Sequence, residues 1–138
     1  MTQENESVVS LADAHQVRLV MAWLQASLNH ARVQWHATTH NHSLQRSLAR
    51  LMSLKRQAVR ALGKELGGCQ PVYLVTPHTP SHREGMPALM EQNRLLIRRA
   101  RQVSKTLQDK RLIHMVSYWI AALQMEVETA ALTWRRLR

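Results

Sequence analysis

Apolar residues recur along the chain at steps of three and four, in four separate segments. In the first, Ala14, Val17, Met21, Leu24, Leu28, Ala31 and Trp35 alternate those steps without a break, so all seven fall on one stripe of a helix. Ser10, three residues ahead of Asp13, is placed to cap it, its hydroxyl meeting a free backbone N–H. A polar break at 38–43 follows. The second segment sets Leu44, Leu48, Leu51, Met52, Ala58, Val59, Leu62 and Leu66 on one arc, and Gly67-Gly68 ends it. The third repeats the stripe through Leu89, Asn93, Leu96, Ala100, Val103 and Leu107. Its start has two readings: a capping box at Ser81–Glu84, or a regular start near Pro87. Asp109 caps the fourth, whose stripe is Ile113, Val116, Ile120, Leu123, Val127, Ala130, Trp134 and Leu137.

Four long amphipathic helices whose stripes repeat close to every 3.5 residues predict an all-α fold, a left-handed four-helix bundle. The chain reads as one helical domain over 1–138, with 1–10 disordered and 67–86 a linker. Pro71, Pro77 and Pro80 keep that linker extended. A crossover along the bundle, making the second and third helices parallel, and a loop folded between antiparallel neighbours are both open. The polar, acidic opening is no secretory signal, and no apolar run reaches the ~18 residues that span a bilayer, so no membrane role is expected. A single cysteine, Cys69, excludes an internal disulfide and suits a reducing cytoplasm.

Charge changes the picture. The 138 residues hold 19 Lys and Arg against 9 Asp and Glu, a formal net charge of +10. Residues 43–68 carry six basic and one acidic residue and residues 86–111 seven and two, so each span is net +5. Arg46, Arg50, Arg56, Arg60 and Lys64 form one row opposite the leucines, and Arg94, Arg98, Arg101 and Lys105 form another. These rows lack the acidic i,i+4 partners of an ordinary solvated face, which points to an anionic partner, an acidic protein or non-specifically bound nucleic acid.

The first and fourth helices differ: no charged residue stands between Arg18 and Arg32, or between Arg111 and Glu126. Each has a second apolar set, including Leu19 and Trp23 on one and Tyr118 and Met125 on the other. Such a surplus face predicts self-association, most simply a dimer.

These helix lengths, the long connection and the Leu66-Gly67-Gly68 end of the second helix resemble small ferritin-like four-helix-bundle proteins, some of them bacterial families of unknown function. The resemblance implies a diiron-type centre built from two Glu and two Glu-x-x-His motifs. Here no Asp or Glu occurs between Asp13 and Glu65, and neither Glu91 nor Glu126 is followed by His three residues later, so no metal ligand carries over. His36 and His40, at i,i+4, are the remaining metal candidates, and the His-rich stretch around them is a candidate pH-sensitive patch. No serine elbow, glycine-rich phosphate loop or base beside Cys69 is present, so no catalytic or cofactor-binding residue is assigned. Lys55 lies inside the apolar arc of the second helix and is read as snorkelling to water, the alternative being an inward amine of depressed pKa. The leading expectation is a non-catalytic binding or adaptor module. An export or secretion chaperone, gripping partners through helices at Lys55–Leu66 and Glu91–Asn93, is the alternative, with a metal-dependent ferritin-like enzyme behind it.

Overall fold

The computed structural model describes residues 9–68 and 85–137. They form four helices, α1 (Leu11–Ala37), α2 (His42–Glu65), α3 (Gly85–Thr106) and α4 (Lys110–Arg136), and no strand. Four of the helix ends have a chemical reason in view. Ser10 Oγ accepts from Asp13 N at 3.1 Å, Asn41 Oδ1 from Leu44 N at 3.0 Å, and Asp109 Oδ1 from Arg111 N at 2.9 Å. At the end of α2, Gly68 N donates to Gly63 O at 2.8 Å and Gly67 N to Lys64 O at 3.0 Å. This doubled closure needs left-handed backbone, and the two glycines supply it at φ +80° and +86°. The candidate cap Ser81–Glu84, the prolines of the linker, Cys69 and residues 1–8 lie outside the described residues.

The helices pack as a ring in the order α1, α2, α4, α3, with α1 across the diagonal from α4 and α2 across from α3. Direction follows from contacts along the axes. Asp13 at the start of α1 reaches Gln108 and Asp109, between α3 and α4. Arg111 at the start of α4 pairs with Glu65 at the end of α2, at 2.5 Å. Toward the other pole, Ser47 on α2 meets Thr133 on α4 at 3.4 Å. Every adjacent pair is therefore antiparallel, which sets opposite helix dipoles side by side, and α2 and α3 are parallel. Gly68 and Gly85 stand at opposite poles, so the chain between them joins one pole to the other. That decides between the two linker geometries in favour of the crossover.

The core follows the predicted stripes with one layer from each helix: Val17, Met21, Leu24 and Leu28; Leu48, Leu51 and Leu62; Leu89, Leu96 and Val103; Val116, Leu123 and Val127 are all buried. The phase of α4 differs at its ends. Leu112 rather than Ile113 is fully buried, and Leu137 is 46% exposed because the helix stops at Arg136. No helix among the described residues is long and apolar enough to cross a membrane.

Candidate anion-binding groove

Since α2 and α3 are diagonal, the two arginine rows do not merge into one basic face. The row on α2 (Arg46, Arg50, Arg56, Arg60 and Lys64) is exposed along its length. It is partly neutralised: Arg50 Nε lies 3.4 Å from Glu126 on α4. The row on α3 (Arg94, Arg98, Arg101 and Lys105) is exposed on another side of the bundle.

Three members of that second row border a groove of about 490 Å³ between α3 and α4. Arg94, Arg98 and Arg101 form the α3 wall, and the α4 wall carries Gln124, Glu128 and Arg135. Ile97, Val127, Ala131 and Leu132 make an aliphatic floor. Four guanidinium groups against one carboxylate leave the groove three charges positive, and guanidinium stays protonated at any physiological pH. Arg101 Nη2 donates to Gln124 Oε1 across one end, which fixes that arginine's direction. Among the described residues neither salt bridge involves Arg94, Arg98, Arg101 or Arg135. Lys105, grouped with the α3 row by sequence, does not border the groove. Arg135 does; it stands outside both basic rows of the sequence, at the end of a segment whose middle carries no charge. Its signal was its register, four residues past Ala131 and seven past Glu128 on one flank of α4.

The proposed association residues also separate. Leu19 and Trp23 on α1 are half-buried, with Trp23 packed against the core and Arg99 lying 5.9 Å from its ring centre. Ala22, Ala26 and Val33 on the same helix are likewise buried or half-buried. On α4, Tyr118 is 64% and Met125 71% exposed. The two surplus faces look away from each other across the diagonal, so they do not form one continuous apolar surface.

The remaining chemical candidates change character. α1 ends at Ala37, so His36 and His40 do not share a helix face, and both are exposed. Among the described residues no three His, Cys, Asp or Glu side chains are grouped to hold a metal ion. Lys55 does not snorkel. It has no exposed surface, its Nζ has no hydrogen-bond partner, and burial lowers its pKa from 10.5 to about 7. Asn93, equally buried, donates to Leu89 O at 2.7 Å while its Oδ1 is unpartnered. His30, buried between α1 and α3, bonds Gln92 through Nδ1 and leaves Nε2 unpartnered. Comparison with family models, with curated proteins and with solved structures finds no match.

Proposed function

We propose that this four-helix bundle is a non-catalytic binding or adaptor module that holds an anionic partner in the α3–α4 groove. The observation that carries this reading is the convergence of Arg94, Arg98, Arg101 and Arg135 on one concavity with a single carboxylate among them. Like charges crowded at that spacing cost stability unless something negative sits between them, and they raise the local potential that steers an anion inward. The net charge of +10 adds long-range attraction, weakened by salt. The lone cysteine of the chain supports work in a reducing compartment such as the cytoplasm. The crossover between α2 and α3 supports a ferritin-like arrangement whose metal carboxylates have been replaced.

The test is a heparin titration at low and moderate salt of three proteins: wild type, Arg94→Gln/Arg98→Gln/Arg135→Gln, and Arg46→Gln/Arg56→Gln/Arg60→Gln. Both variants remove three exposed charges, so a purely global effect weakens them equally. The groove variant is expected to lose at least tenfold in affinity and the α2 variant less than threefold. Equal losses, or no binding by wild type, overturn the reading.

A second surface has its own support. Tyr118, Ala121 and Met125 line the outer side of α4 within the uncharged stretch between Arg111 and Glu126, and Tyr118 and Met125 are the kind of side chains that anchor interfaces. We propose weak self-association through this face alone, without α1.

A further inference from the structure

We infer that the occupant of the α3–α4 groove is an acidic amphipathic helix of a partner protein. This rests on the anion-binding reading above and specifies the partner. The two walls carry the register of helix packing. Arg94, Arg98 and Arg101 step by four and three along α3, and Gln124, Glu128, Ala131 and Arg135 step by four, three and four along α4. Two antiparallel helices with flanks at this repeat frame the seat of a third, over about three turns or ~16 Å of α4. Ala131, small and central, lets a backbone come close, and the exposed Leu132 beside it offers an apolar shelf.

Chemistry excludes the other polyanion better than shape does. Nucleic acid bound without sequence preference combines phosphate contacts with bases stacked on aromatic rings, and no aromatic residue borders this groove. An aliphatic floor between arginines gives a phosphodiester nothing to bury. A helix with leucines on one stripe and carboxylates flanking them uses both: apolar area on the exposed Leu132, charge-assisted bonds to the arginines.

The other grooves of the ring are spanned by links of their own. Ion pairs Arg50–Glu126 and Arg111–Glu65 bridge α2 to α4. His30–Gln92 and Arg99 over Trp23 bridge α1 to α3, and Gln45 Nε2 reaches Trp35 O between α1 and α2. Between α3 and α4, the link from Arg101 to Gln124 sits at one end of the groove and leaves the floor beyond it open.

The experiment uses an 18-residue fluorescent helical peptide with a leucine stripe flanked by glutamates, a scrambled peptide of the same composition, and heparin. Each is titrated at 100 mM salt against wild type, Arg98→Gln/Arg135→Gln and Leu132→Gln. All three substituted positions are exposed, so folding is retained and is checked by thermal melting. The amphipathic peptide is expected to bind at least tenfold tighter than the scramble. The double arginine variant should lose tenfold or more, and Leu132→Gln about fivefold for the amphipathic peptide while leaving heparin unchanged. If both peptides bind alike and Leu132→Gln changes nothing, the helix inference fails while the anion groove stands, provided heparin still depends on the arginines. If neither peptide nor heparin binds, both fall.

Discussion

Replacing Lys55 by Met should make this protein more stable at neutral pH. The amine is fully buried without a partner, and burial alone holds its pKa near 7 against 10.5 in an exposed lysine. Between those values the unfolded chain binds a proton that the folded one does not, so stability rises with pH across that window. Below it both states are charged, and the whole penalty is carried by the native fold. The interval corresponds to about 5 kcal/mol between neutral pH and pH above 10.5, an order-of-magnitude figure for a deeply buried group. Met keeps an unbranched stem of similar volume and has no charge to desolvate, so it removes the penalty without opening a cavity.

Urea denaturation of wild type and Lys55→Met at pH 7 and pH 10 measures this. The variant is expected to be more stable by several kcal/mol at pH 7, with the gap shrinking by at least ~2 kcal/mol at pH 10. What remains at pH 10 is the smaller cost, about 1–3 kcal/mol, of an unpaired neutral amine. Titration of the other lysines and tyrosines is common to both proteins and cancels in the difference. A variant no more stable than wild type at pH 7, with the same pH dependence, would show that the amine reaches water or an acceptor, and the argument would fail.

Two further perturbations probe the fold and the outer face of α4. Asp13→Ala leaves the N–H groups of Gln108 and Asp109 without their acceptor and should cost about 2–4 kcal/mol, read from the shift in urea midpoint; a loss under ~0.5 kcal/mol would mean that water replaces the carboxylate freely. Sedimentation of wild type against Tyr118→Glu/Met125→Glu should show reversible dimers at high micromolar concentration in the first and monomer in the second, whereas a wild type that stays monomeric at hundreds of micromolar refutes association through α4.

Helix positions were legible because burial on one side of a helix leaves a 3.6-residue trace, and Ser10, Gly67 and Asp109 are residues whose chemistry suits termini. The arrangement of the four helices was not. Any stripe fits any neighbour, and the choice between ring orders turned on single long-range contacts such as Asp13 with Asp109, which have no local signature. The same holds for Lys55: its place in the apolar arc was visible, but whether a four-carbon stem bends outward depends on how tightly α1 and α4 close over it. The groove shows a third kind of limit. Its α3 wall was readable as a charge row, yet Arg135 acquires its meaning only when α4 lies beside α3, and the same placement sets the α2 row on a different side of the molecule.

The bond from Asp13 to the turn before α4 joins residues 96 positions apart. As the chain leaves the ribosome, α1 and α2 can zip into a hairpin early, but the Asp13 carboxylate at the beginning of α1 has no donors to accept from until Gln108 and Asp109 have emerged. The other flank of α1 waits for α3. The first half of the protein therefore waits as an open, apolar-faced pair of helices from the completion of α2 until Gln108 and Asp109 are made, and its productive folding is gated by the last quarter of the message. A chain cut short before α4 would keep good helices and lose the fold.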